Sequence, residues 1–172
     1  MTDATYVFDV GASDEALETV NQITSPKRIV ISHFHEDHMG NIKRINLQQE
    51  DVVYGGDFTG KKVPEAVVVK ERISMGPDVD VFPIPSSHSK GCLGLRCGEY
   101  AFLGDSTYAF RKDGQIAYNV SVLHETIRVL EELPAQKFVL SHKLPEIREK
   151  ESVLNELREI YKLRRPGEAY II

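Results

Sequence analysis

Apolar positions along this chain follow two alternating rhythms. Short runs that are β-branched or alternate with period two read as strands: Tyr6–Val10, Arg28–Ser32, Asp51–Tyr54, Val67–Val69, Val79–Ile84 and Lys137–Leu140. Cys92–Cys97 and Tyr100–Leu103 read as a hairpin turning at Gly98-Glu99. Between the runs, apolar residues recur every three or four positions. Ser13-Asp14-Glu15 predicts a helix start, with Ala16, Leu17 and Val20 on one face. Val120–Leu133 predicts a helix on Val122, Ile127 and Leu130, and Glu146–Leu163 a charged amphipathic helix. Strands alternating with helices predict an α/β fold.

The pattern also contains a weak repeat. Tyr6-Val7-Phe8 leads through a helix to Pro26-Lys27-Arg28 and on to Ser32-His33. Tyr100-Ala101-Phe102 leads through a helix to Pro134 and on to Ser141-His142. Two similar halves facing a shared cleft would explain it, and so would coincidence in so short a motif.

Composition narrows the picture. The 172 residues, 41% hydrophobic and 27% charged, fit one globular domain over 1–172. No apolar run is long enough to span a membrane, and Met1–Thr5 does not open a basic-then-apolar leader, so the expected location is the cytoplasm. Cys92 and Cys97 are too few for a disulfide scaffold; both are expected to be buried, reduced thiols, although Cys92 lies close enough to His88 to sit beside a metal. A net charge of −5 argues against long nucleic acid and leaves a small molecule as the expected partner.

Five of the six histidines carry the chemistry. His33-Phe34-His35-Glu36-Asp37-His38 follows an apolar strand. His88, Asp105 in Leu103-Gly104-Asp105-Ser106, and His142 in Leu140-Ser141-His142 come later, each just past a predicted strand. Imidazole and carboxylate are the donors of hydrolytic metal sites. On a strand, residues i and i+2 point the same way, so His33 and His35 can grip one ion. A bend permitted by Gly40, with a helix from about Asn41, would turn Asp37 and His38 to a second ion. His88 and His142 would close the two spheres and Asp105 could touch both ions. Two ions ~3.5–4 Å apart are a common hydrolytic device.

These residues resemble the metallo-β-lactamase superfamily, whose His-x-His-x-Asp-His motif is matched at His33 to His38. The third histidine matches at His88, the bridging aspartate at Asp105 and the final histidine at His142. The resemblance runs from Phe8-Asp9-Val10-Gly11 to Ser141-His142. It implies a four-layer αββα sandwich. It assigns His33, His35 and His88 to metal one, and Asp37, His38 and His142 to metal two, with Asp105 between. Asp9 matches the aspartate that supports the metal loop in the family. The implied cofactors are two divalent ions, zinc first, with iron or manganese fitting the same donors.

The chain departs from the family in places. It reads as a compact variant with truncated N-terminal strands; pairing with a second copy, giving a homodimer, would cover the exposed edge. The final motif is Ser-His-Lys instead of Gly-His-Gly. The position of the thiolate in true zinc β-lactamases is Asp105, which argues against lactamase activity. An inserted nuclease domain is absent. Tyr108, three residues past Asp105, matches the tyrosine with which related lactonases donate to the substrate carbonyl. Lys90, Arg111, Lys112 and Lys143 lie near candidate ligands and could bind an anion. His124 reads as structural.

The resulting expectation is a binuclear hydrolase. A metal-bound hydroxide attacks an ester, thioester or lactone carbonyl, Asp37 accepts a proton and Tyr108 assists. A phosphodiesterase is the alternative, with Lys90, Arg111 and Lys143 as its basic rim. Glyoxalase-II-like thioesterases share the ligand set but commonly add a C-terminal substrate domain without counterpart here. An iron oxidoreductase ranks lower, because related di-iron flavoproteins place a carboxylate where this chain has His35. A non-catalytic metal-binding module is the last rival.

Overall fold

The protein is described from a computed structural model, and the description applies to residues 4–172. Two sheets face one another. The first is parallel, with strand order β1 (Thr5–Phe8), β2 (Lys27–Val30), β3 (Val52–Gly55) and β4 (Val67–Val68). The second runs β12 (Ile147–Glu149), β11 (Lys137–Leu140), β8 (Tyr100–Gly104), β7 (Cys92–Cys97), β6 (Val79–Ile84) and β5 (Ile73–Gly76). It is antiparallel except where β8 lies parallel to β11. A small third sheet joins β9 (Phe110–Lys112), β10 (Gln115–Asn119) and β13 (Tyr170–Ile171).

Period-two alternation sorts the strand residues into layers. Val30, Val81, Leu93 and Leu95 meet between the two sheets, with Phe8 and Phe102 rings 5.8 Å apart beside them. Ile29, one residue away from Val30, faces the other way, into a cluster with Val20 of helix α1 (Asp14–Asn21). Across the second sheet, Ala101, Leu103 and Phe138 pack on Leu123, Ile127 and Leu130 of α4 (Val120–Glu131) and Leu154 of α5 (Lys150–Lys162). The order helix, sheet, sheet, helix is the expected αββα sandwich. None of the described helices is long and apolar enough to cross a membrane.

Several predicted boundaries shift. Ser13 does cap α1, its hydroxyl accepting from the Ala16 amide at 3.2 Å. Helix 146–163 begins only at Lys150, because Ile147–Glu149 pairs with β11 as an edge strand. The turn at Gly40 is helical, with φ −54°; α2 (Glu36–Met39) precedes it, and the expected helix start at Asn41 is present as a single 3₁₀ turn, Ile42–Arg44, with Asn41 as its N-cap. Gly40 is needed for space, since a Cβ would lie 2.7 Å from the Glu36 carbonyl oxygen. Cys92 is buried as expected and Cys97 is exposed. The Cys92 thiol, pushed up to about 12 by burial, packs in the core against α4 and α5. In both repeat segments the first and last strands pair in parallel, β1 on β2 and β8 on β11, but the second segment also inserts β9 and β10 before its helix.

Candidate metal centre

Every candidate ligand follows the C-terminal end of a strand, all at one end of the sandwich. His33 and His35 follow β2, His88 follows β6, Asp105 follows β8 and His142 follows β11. The expectation that His33 and His35 share a strand is corrected: β2 stops at Val30 and the histidines sit on the loop into α2. They converge all the same, because His35 keeps an extended backbone (φ −74°, ψ 149°) as the N-cap of α2.

Two trios form. In the first, His33 Nε2 lies 2.9 Å from His35 Nδ1, and His88 Nε2 lies 3.2 Å from the same atom. In the second, His142 Nε2 lies 3.2 Å from Asp37 Oδ2 and 3.4 Å from His38 Nε2. Asp105 stands between them. Its Oδ2 is 3.3 Å from His88 Nε2 and 3.5 Å from His38 Nε2, and its Oδ1 is 3.7 Å from His142 Nε2. Donor atoms at ~2.0–2.1 Å around a tetrahedral ion stand about 3.3 Å apart. The observed spacings are edges of that figure.

Electrostatics agree with a cation at this place. Burial, and then the neighbouring His38 and His35, lower His33 from 6.5 to about 3, so its ring is neutral. Burial and His88 likewise lower His35. Asp105 Oδ1 is buried with no hydrogen-bond partner, an orphan that a metal would satisfy. The N/O donor set fits divalent zinc, iron or manganese.

The surrounding groups fix which nitrogen of each ring is free. Ser32 Oγ meets His33 Nδ1 at 3.0 Å, and the Ala109 carbonyl oxygen meets His88 Nδ1 at 3.3 Å, leaving Nε2 of both rings for a ligand. Asp9 does most of this work. It accepts from the Ser32 amide at 2.7 Å, from the Ser32 hydroxyl at 2.8 Å and from His38 Nδ1 at 2.7 Å. Burial alone would lower His38, but hydrogen bonds to Asp105 and Asp9 overcome it and push the imidazole up to about 10. Conversely, burial would raise Asp105, and the His38 contact holds it below the usual carboxylate range.

Tyr108 is revised. Its phenol donates to the Ser141 carbonyl, so it anchors the strand end that carries His142. Burial and Asp105 push it up to about 12, so it stays a donor. His142 has a left-handed backbone (φ 58°), uncommon for a residue other than glycine. Lys143 sits over the Tyr108 ring at 5.0 Å. His124 stays outside the cluster, stacked on Tyr161.

Three contributors were not singled out by the sequence. The Asn41 side chain donates to the Val10 and Ser13 carbonyls at 3.1 and 2.8 Å, tying the motif loop to the Asp9 turn. At Gly104 (φ 54°), a Cβ would lie 2.8 Å from Ser32, so only glycine lets β8 end against the first sheet. Ser32 itself also accepts the Leu93 amide at 2.8 Å through its carbonyl, coupling the two sheets beneath the site. The one available signal was Ser-His at the end of both repeats.

No family model matches the chain. Among curated proteins it is similar to the hydroxyacylglutathione hydrolase of Yersinia pestis, at 25% identity over 138 residues, covering 77% of this chain and 54% of the relative. That of Klebsiella pneumoniae is 28% identical over 107 residues, covering 60% of this chain and 42% of the relative. The chain thus spans about half the length of the curated relatives it matches. A variant of a flavo di-iron protein from Thermotoga maritima superposes with TM-score 0.73 at 15% identity, covering 97% of this chain and 52% of that one. A B3 metallo-β-lactamase with an active-site glutamic acid superposes with TM-score 0.67 at 13% identity, covering 90% and 77%. Two opposed sheets between helix layers, with the histidine motif at their shared end, have the architecture of these structures: the chain is a protein of the metallo-β-lactamase fold.

Proposed function

We propose that the chain is a binuclear metal-dependent hydrolase acting on the ester, thioester or lactone carbonyl of a small molecule. One observation carries the reading: two trios of donors at coordination spacing, with one buried carboxylate reaching both. The hydroxyacylglutathione hydrolase relatives support it.

His33 Nε2, His35 Nδ1 and His88 Nε2 would hold one ion; Asp37, His38 Nε2 and His142 Nε2 would hold the other, with Asp105 serving both. Ions so placed supply Lewis acidity and a water acidic enough to ionise near neutral pH. The chain's own residues orient and exchange protons. Asp9 holds His38 in the tautomer that frees Nε2. Asp37, exposed at the mouth, takes the proton released by the attacking water. Tyr108 keeps the His142 loop in place through Ser141.

The flavo di-iron match favours a second reading, a di-iron redox protein on the same ligands. Both are tested together. The metal-saturated chain should carry two ions by plasma mass spectrometry and hydrolyse carbonyl substrates faster than phosphodiesters in a mixed panel. A two-ion chain that turns over no carbonyl substrate, and instead cleaves phosphodiesters or takes up oxygen when reduced with iron, overturns the hydrolase reading.

A further inference from the structure

Beside the first trio lies a cleft of about 410 Å³, with His35 and His88 among its lining residues. Two aromatic pairs from distant parts of the chain line it. Phe34 and Phe58 stack with centroids 5.9 Å apart and planes 30° apart. Phe110 of β9 and Tyr170 of β13 lie 5.8 Å centroid to centroid. The small third sheet brings the second pair together, since β10 joins β9 on one side and β13 on the other. Gly56 positions the first: any Cβ there would run into the Gly91 backbone, so only glycine lets the start of α3 (Asp57–Lys62), with Phe58, close on the loop that carries His88.

Lysines crown these rings. Lys61 Nζ sits 4.5 Å from the Phe58 ring centre, Lys62 Nζ 4.8 Å from Phe34 and Lys112 Nζ 5.0 Å from Tyr170. Lys90 lines the cleft directly. Lys112 is partly neutralised by Asp113 at 3.1 Å; Lys61 and Lys90 have no carboxylate partner among the described residues. No lining residue of the cleft is acidic, although the whole chain carries net charge −5. The groove on the other side of the site, about 710 Å³, is different: Asp9, Glu15, Asp37 and Glu146 line it.

We infer that this cleft is the acyl pocket, and that the substrate is an ester, thioester or lactone whose acyl side is a flat aromatic group bearing an anionic substituent. Aromatic rings from two directions favour a flat ligand by offset or edge-to-face stacking. Cations already poised on those rings favour one with negative charge, while the acidic groove repels it from the opposite side. The inference rests on the hydrolase reading for the bond that is broken, but not for what the cleft binds.

Binding therefore tests it without turnover. Calorimetry on the zinc-loaded chain would compare 2-naphthoate, neutral 2-naphthalenemethanol and acetate. 2-Naphthoate should bind at least about tenfold more tightly than either of the others. Phe58→Ala and Phe110→Ala should each weaken 2-naphthoate about tenfold and leave acetate, which can only meet the metals, unchanged. Phe58→Leu, which keeps apolar volume without a flat face, should lose part of that. Lys90→Ala and Lys61→Ala should weaken 2-naphthoate while sparing 2-naphthalenemethanol. Equal affinity for 2-naphthoate and acetate, or indifference to both phenylalanine substitutions, overturns the inference. A chain that binds 2-naphthoate as expected but hydrolyses no carbonyl substrate overturns only the reading of the reaction.

Discussion

The two trios share Asp105 but live in opposite surroundings. The first is enclosed: His33 is wholly buried, and burial together with neighbouring rings lowers both His33 and His35. The second is open and charged: the side chains of Asp37 and His142 are 57% and 55% exposed, while His38 between Asp9 and Asp105 is pushed up to about 10. The difference lies in the carboxylates. Asp9, Asp37 and Asp105 crowd the second trio, and a proton on His38 balances part of their charge. On the proposed reading, His33 would meet a metal at neutral pH without losing a proton, whereas His38 would have to give one up first.

Breaking the shared element should have the largest effect. Asp105→Ala is expected to drop the metal content from two ions to one and cut turnover roughly 10³-fold or more, since several kcal/mol of charge stabilisation go with the second ion. Metal analysis beside steady-state kinetics checks this, and two ions with full turnover would reject the bridging role.

Asp9→Asn sharpens the comparison because Asp9 contacts a member of the second trio directly and reaches the first only through Ser32. Asparagine tolerates the left-handed backbone at this position (φ 61°), so the turn should survive. Affinity for the second ion should fall about 10–100-fold, the usual cost of losing a ligand's supporting carboxylate, while the first is retained. Competition with a chromophoric chelator measures both.

The pH dependence should split the same way. His38 has its pKa raised, so in chain prepared without metal it contributes stability that is complete below about 6.5 and lost as pH rises through about 10. The melting temperature of that preparation should fall between pH 7 and 10, and the two-ion form should lose less over that range. Equal slopes would show that His38 is not the proton holder.

Tyr108→Phe is the smallest change. A lost hydrogen bond to the Ser141 carbonyl costs about 1 kcal/mol and loosens the His142 loop, so second-ion affinity should drop only a few-fold. A loss of 10²–10³ in turnover at unchanged metal content would instead restore the phenol as a donor to the substrate carbonyl.

The clustering of the candidate ligands was legible in the sequence because metal chemistry restricts residue type, and because every candidate follows an apolar strand. The layers were legible because period-two alternation decides which face of a strand is buried, as at Ile29 and Val30. What escaped was set by contacts distant in sequence. β12 is a strand because β11 offers an edge to Ile147–Glu149, although the same residues continue a helical pattern. β9 and β13 are only three and two residues long and carry no periodicity of their own. The place of Tyr108 near Asp105 was legible from its offset, whereas its hydrogen bond to Ser141, 33 residues away, was not.

Zinc titration of the chain prepared without metal, followed by calorimetry in buffers of different ionisation enthalpy, tests the central claim most directly. Two unequal trios predict two ions per chain bound in separate steps, with the weaker step releasing the His38 proton and disappearing in His142→Ala. A single step that stops at one ion, unchanged by His142→Ala, would contradict the two-trio account.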